Sequence, residues 1–113
     1  MTNLLDIDTL HQLYPQAESR RTFLARARSI VQADRAALQQ AMHRHAYTAA
    51  RDVSHRLHGT SAFLAGSTEI PLKTFDDLNM ALHRGDHAAV DAAQSCVLDY
   101  LTQLEEQLGR ALD

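Results

Sequence analysis

The residues best suited to chemistry lie in the stretch "SHRLHGTSAFLAG", residues 54–66. It contains two histidines, His55 and His58, three positions apart, and several small residues follow them. An imidazole changes its charge near neutral pH, acts as a nucleophile and binds metals. The stretch is therefore consistent with a metal site, a nucleophilic site or ordinary helix packing.

A metal site has weak support in the sequence. Protein zinc sites usually use three or four protein ligands, and this stretch offers two histidines. His43 and His45 form a second pair elsewhere, with no thiolate or carboxylate cluster near them, and Cys96 is expected in a helix core. The seven histidines are scattered along the chain, so the sequence predicts no metal site.

The usual motifs of hydrolases and nucleotide-dependent enzymes do not occur in the chain. It has no GxSxG, no glycine-rich phosphate loop and no HExxH. An exposed nucleophile without a base, a metal or a nucleotide pocket needs a partner to complete its site. The chain is therefore not expected to be an enzyme by itself.

The composition predicts a small helical protein that fits one domain, residues 1–113. Of these residues, 45% are hydrophobic and 22% are charged, which suits one packed core. Aromatic residues are few, and this favours helix over sheet. The net charge of −3 argues against nucleic-acid binding, and no apolar run approaches the ~20 residues of a membrane span. One cysteine and the lack of a signal-peptide pattern predict a cytoplasmic protein without membrane contact.

The apolar periodicity predicts five helices. A short first helix in "DIDTLHQLYP" would be capped by Asp6 or Asp8, and longer helices are expected over about 16–43, 48–65 and 87–112. The fourth would begin after residue 66, with Ser67 or Thr68 as cap and Pro71 in the first turn, and would end at Gly85. Four amphipathic helices with short connections form an antiparallel bundle. The predicted fold class is therefore all-α, an antiparallel four-helix bundle preceded by a short N-terminal helix.

Stripes of apolar residues at three- and four-residue spacing define the expected core. They comprise Phe23, Ala27, Ile30, Val31, Leu38, Ala41 and Met42 on the second helix, Leu72, Phe75, Leu78, Met80 and Leu82 on the fourth, and Val90, Ala93, Val97, Leu101, Leu104 and Leu108 on the fifth. The segments "AMHRHAYTAA" (41–50) and "ALHRGDHAAV" (81–90) resemble each other. Both are expected to form helix-to-helix corners with similar turns.

His55 is predicted to point away from the core of the bundle. It lies two residues from Leu57, which is about 200° around a helix axis. The expected core stripe of the third helix is Val53, Leu57, Ser61 and Leu64, and the outer stripe is Arg51, His55, Gly59 and Ala62. A glycine inside a helix costs roughly 1 kcal/mol relative to alanine. Gly59 would therefore serve the approach of another molecule, space for a group on His55, close helix packing, or nothing.

An outward histidine followed by small residues resembles the signature of histidine phosphotransfer (HPt) domains, in which a histidine precedes x-Leu-Lys-Gly and a Ser/Ala-rich continuation. His55 matches the phosphorylated histidine of that signature. The following positions are matched by Leu57, Gly59, Thr60, Ser61 and Ala62. A short helix before a four-helix bundle also agrees with the family, so the resemblance covers nearly the whole chain.

The chain departs from this signature at two positions. His58 replaces the usual lysine, so the fixed positive charge beside the phosphoryl group is missing. A second small residue, often glycine, commonly lies ten positions after the histidine; here that position is Ala65, and Gly66 follows it. Neither departure removes the nucleophile.

The resemblance implies a phosphocarrier of a two-component phosphorelay. His55 would accept a phosphoryl group from an aspartate of a response-regulator receiver domain and pass it to another receiver. His58, Gly59, Arg51 and Arg56 would surround the phosphoryl group. The receiver would supply Mg²⁺, so no cofactor is expected on this chain, which would be free or tethered to a sensor kinase such as a bacterial hybrid histidine kinase. Two alternatives remain from the residues alone: a helical interaction module that carries no phosphate, and a small metal-binding helical protein.

Overall fold

The computed structural model describes residues 3–67 and 69–112, and these residues form a helical bundle. The helices are α1 (Ile7–Leu13), α2 (Ala17–His43), α3 (Tyr47–Ala65), α4 (Glu69–Arg84) and α5 (His87–Leu112). α3 packs mainly on α2 and α4, and α5 packs on the same two helices. The four long helices thus form an antiparallel bundle preceded by the short α1, which confirms the predicted fold class.

The start of α1 is fixed to the C-terminal end of α3. The Asp6 carboxylate accepts the backbone N–H of Thr9 at 3.1 Å, so Asp6 rather than Asp8 is the N-cap. The Asp6 N–H also donates to the Leu64 carbonyl at 2.8 Å. A Cβ atom at Gly66 would overlap the Asp6 carboxylate. Gly66 therefore allows the close approach of α1 to the end of α3.

The connection from α3 to α4 follows the sequence signals. Gly66 ends α3 with φ of 64°, in the left-handed region that glycine adopts readily. The Ser67 hydroxyl accepts the backbone N–H of Glu69 at 3.1 Å, whereas Thr68 lies outside the described residues. Pro71 lies in the first turn of α4, where a missing N–H costs no helical hydrogen bond.

The predicted core stripe of α3 is buried, and most of the predicted apolar stripes of the other helices are also buried. Three predicted core residues are instead exposed: Ile30 at 44%, Leu72 at 48% and Met80 at 48%. Cys96 is exposed as well, which corrects its expected core position. Met80 lies about 200° around the axis from both Leu78 and Leu82, and Ile30 and Cys96 each lie about 100° from a buried valine. Ile30 and Cys96 therefore flank the buried stripe of their helix, whereas Met80 lies nearly opposite the stripe of α4.

Two polar pairs lie inside the bundle and were not predicted. The Arg35 guanidinium contacts the buried Glu105 carboxylate through Nε at 2.7 Å and Nη2 at 3.2 Å, joining α2 to α5. The buried hydroxyls of Tyr100 on α5 and Ser61 on α3 are near each other, but neither has a hydrogen-bond partner among the described residues. Burial raises the pKa of the Tyr100 hydroxyl to about 12, and the neighbouring Ser61 hydroxyl opposes part of that rise. No helix within the described ranges is long and apolar enough to span a membrane.

Candidate functional site

His55 lies in the middle of α3 with its side chain exposed, as the helical wheel predicts. Leu57 faces the core with no exposed surface, and so does Ser54, whose hydroxyl donates to Asn79 Oδ1 on α4 at 2.5 Å. The His55 ring makes no hydrogen bond to any residue in the ranges 3–67 and 69–112. Its unprotonated nitrogen is therefore open to a reactant from outside the chain.

Gly59 lies on the same exposed face, one turn after His55. A Cβ atom placed there would meet no atom of the described residues within 4 Å, apart from its own helix backbone and chain neighbours. Gly59 therefore does not serve close packing of helices within this bundle. Three interpretations of Gly59 remain: access for another molecule, space for a group attached to His55, or no role.

A shallow groove of about 390 Å³ lies between α3 and α4 and contains His55. Its positively charged or protonatable neighbours are Arg51 from α3 and His83 and Arg84 from α4. The remaining lining residues are Asn79 and Met80. Guanidinium groups bind phosphoryl oxygens well because their planar donors match the spacing of those oxygens. The groove is thus suited to an anionic group next to the His55 ring.

The other two predicted neighbours of the phosphoryl group make contacts elsewhere. Arg56 Nη2 donates to Asp34 Oδ1 on α2 at 3.2 Å. The half-buried His58 ring stacks on Phe75 of α4, with ring centroids 5.4 Å apart and planes 7° apart. Of the predicted residues, Arg51 therefore shares a groove with His55 and Gly59 shares its open face. The role of His58 beside a phosphoryl group stays a prediction.

His83 and Arg84 were missed as site residues by the sequence reasoning. They lie 28 and 29 positions after His55 and belong to the next helix. Their only sequence signal is the "HRG" segment at the end of α4, which marks a helix end rather than a site. The packing of α4 against α3 brings them to the His55 groove.

An apolar groove of about 310 Å³ lies between α2 and α3 and includes Gly59. Its exposed large hydrophobic residues are Phe63, at 52%, and Ile30, which the sequence placed in the core. Phe23 supports Phe63 by an edge-on ring contact, with centroids 5.8 Å apart. Exposed apolar side chains grouped around a groove are typical of protein interaction surfaces. We call this surface, defined by Phe23, Ile30, Gly59 and Phe63, the α2–α3 groove.

Comparison of the chain with protein-family models, with curated proteins and with solved structures gives no match. The features that bear on its function are the motif in residues 54–66 and the geometry around His55. That geometry comprises an exposed imidazole, an open glycine one turn away, a groove with cationic side chains on one flank and an apolar groove on the other.

Proposed function

We propose that this chain is a phosphocarrier: His55 accepts a phosphoryl group from an aspartyl phosphate of a receiver domain and passes it to a second receiver, in the cytoplasm. The observation that carries the proposal is an exposed imidazole in mid-helix with no hydrogen-bond partner in the described ranges. The resemblance of residues 54–66 to the HPt signature supports it.

The chemistry requires only one reactive group from this chain. The Nε2 lone pair of the neutral His55 ring attacks phosphorus and forms an N–P bond. The P–O bond to the donor aspartate breaks, and its electron pair returns to that carboxylate. In the second transfer a carboxylate of the accepting receiver attacks phosphorus, the N–P bond breaks, and its electron pair returns to Nε2 of His55. Phosphoryl transfer depends mainly on positioning and charge neutralisation. The receiver would supply Mg²⁺ and an acidic pocket for this, and the present chain would supply the accessible ring.

The groove between α3 and α4 supplies the positive charge that the HPt signature places on a lysine. Arg51 and Arg84 carry permanent charges, and His83 adds one when it is protonated. Hydrogen bonds between a guanidinium and a phosphoryl oxygen are charge-assisted and stronger than neutral ones. We expect these side chains to stabilise phosphorylated His55. In the free protein Arg84 Nε donates to the Met80 carbonyl at 3.4 Å.

The α2–α3 groove is the proposed contact surface for the receiver. Its apolar centre at Phe63 and Ile30 would be covered by the partner, and Arg26 lines its edge. Gly59 lies between this groove and His55, so a receiver docked there could bring its active-site loops close to the ring. Apolar centres surrounded by polar residues are common in transient protein complexes.

The decisive experiment compares phosphorylation of the wild-type chain with that of His55→Gln. A panel of phosphorylated receiver domains serves as the donors. We expect one acid-labile phosphoryl group on the wild type and none on His55→Gln. His43→Gln, which changes an exposed histidine at the end of α2, should behave like the wild type.

Two outcomes would contradict the proposal. Uptake by His55→Gln at the wild-type rate would place the phosphoryl group on another residue. If no receiver transfers a phosphoryl group to the wild type but one binds it and His55→Gln with equal affinity, the chain is a helical interaction module. Binding is measured by titration calorimetry with the same receiver panel.

A further inference from the structure

The two corners with similar sequences lie at the same end of the antiparallel bundle. Alignment of residues 41–50 with 81–90 places His45 opposite Gly85 and Tyr47 opposite His87. Their backbones also agree, because φ is 55° at His45 and 67° at Gly85. The predicted similarity of the two turns is therefore confirmed, and the corners differ in the side chains that they carry.

His45 occupies a backbone conformation that favours glycine. Among the residues that the structure describes, it is the one non-glycine residue with positive φ. A left-handed conformation is costly for a residue with a Cβ atom, and Gly85 avoids that cost in the other corner. Residues kept in such conformations are often kept for their side chains.

The side chains of the two corners converge on one oxygen atom. The Tyr47 hydroxyl lies 2.7 Å from Nδ1 of His87 and 3.5 Å from Nδ1 of His45. The two imidazole rings are 5.6 Å apart between centroids. Both histidines are exposed, so both rings can rotate. Imidazole nitrogen is a ligand that suits zinc, nickel and copper ions, and here two such nitrogens are directed at a common point.

We propose that His45 and His87 form a binding site for a divalent transition-metal ion of the zinc type. The ion would be bound by the two Nδ1 atoms and would take the place of the Tyr47 hydroxyl between them. Zinc–nitrogen bonds are about 2.0–2.1 Å long, so the two rings must rotate toward each other. This proposal is independent of the phosphocarrier function.

The coordination would be completed from outside the chain. No group of three or more His, Cys, Asp or Glu side chains in the ranges 3–67 and 69–112 is arranged to hold a metal. The nearby Asp86 uses Oδ1 to accept the Ala89 N–H at the start of α5. Water, or a group of a partner, would therefore occupy the other positions. Binding should be weaker than at a structural zinc site, which has four protein ligands.

The site lies away from His55. Tyr47 precedes His55 by eight residues on α3, which is about 12 Å along the helix axis at 1.5 Å per residue. A bound ion would link the α2–α3 corner to the α4–α5 corner. Because it would bind the folded chain preferentially, it should also raise the melting temperature.

The experiment titrates the full chain with Zn²⁺ alone and records binding by calorimetry and melting by circular dichroism. The wild type should bind one ion. His87→Ala and His45→Gly should each weaken binding at least tenfold, and His45→Gly should melt at or above the wild-type temperature because glycine suits that φ. The last result separates loss of a ligand from loss of the fold.

Two matched controls complete the test. His11→Ala changes an exposed histidine on α1, at the opposite end of the bundle, and should bind Zn²⁺ like the wild type. Tyr47→Phe removes the hydroxyl that occupies the proposed metal position and should bind at least as tightly as the wild type. Equal Zn²⁺ binding by the wild type and by the His45→Gly, His87→Ala double variant would overturn the proposal.

Discussion

Substitution of Gly59 by alanine should stabilise the protein, because the site offers space and α3 has a regular backbone there. A Cβ atom at this position meets no neighbouring atom within 4 Å beyond its own helix backbone and chain neighbours. Alanine is favoured over glycine in a helix interior by about 1 kcal/mol. For 113 residues at about 2.1 cal/mol/K each, the unfolding entropy is about 0.24 kcal/mol/K. The melting temperature should therefore rise by about 4 °C.

Thermal unfolding followed by circular dichroism measures this rise, and a second glycine provides the contrast. Gly85→Ala also meets no neighbouring atom, but its φ of 67° is unfavourable for alanine. Gly85→Ala should lose about 1–2 kcal/mol. If Gly59→Ala melts at or below the wild-type temperature, the inference that this glycine is unnecessary for the fold is wrong.

The same position should respond in the opposite direction in phosphoryl transfer. Gly59→Gln replaces a poor helix former by a good one and places a long side chain beside the His55 ring, where the receiver must approach. We expect transfer from a phosphorylated receiver to slow by about tenfold, which corresponds to about 1.4 kcal/mol in the barrier. Ser95→Ala, an exposed helix substitution on α5, is the control and should not change the rate. Transfer by Gly59→Gln at the wild-type rate would refute the clearance role.

Three further predictions concern single side chains. Burial raises the pKa of Tyr100 to about 12, so the tyrosine of the unfolded chain ionises at lower pH than that of the folded chain. The wild type should therefore lose stability as the pH rises from about 10 to 12. Chemical denaturation should show a smaller loss for Tyr100→Phe. Hydrogen bonds from Thr9 lower the pKa of Asp6 below its usual 3.8. The Asp6 carboxylate therefore stabilises the fold above pH 3.8, and this stabilisation is lost as the pH falls below that value. The stability of Asp6→Asn, measured in the same assay, should depend less on pH in this acidic range. His58→Lys should transfer the phosphoryl group at a rate that depends less on pH than the wild-type rate between about pH 6 and 8, and His58→Ala should transfer it more slowly. Superimposable pH–rate profiles for the wild type and both variants would show that His58 has no electrostatic role.

The sequence was sufficient to predict the helices and the direction of His55. The observed bounds of α1, α2, α3 and α5 lie within about two residues of the predicted ones, and α4 ends immediately before Gly85, as predicted. These features depend on local interactions, namely a cap at Asp6, a left-handed stop at Gly66 and the 3.6-residue period. The 200° separation between His55 and Leu57 is equally local, since both residues share one helix. The sequence therefore predicted which side of α3 is exposed.

Which side chains meet across helices was determined by the tertiary structure. His83 and Arg84 reach the His55 groove, His58 stacks on Phe75, and His45 lies beside His87 because neighbouring helices pack at a particular axial position. The period of a helix gives the direction of a residue around its own axis, but it carries no information about which residue of the next helix lies opposite. The exposure of apolar residues at the edge of a helix stripe is also decided by the tertiary structure, because the width of the buried face depends on how closely the neighbouring helices approach. For this reason Ile30 and Cys96, predicted in the core, lie on the surface.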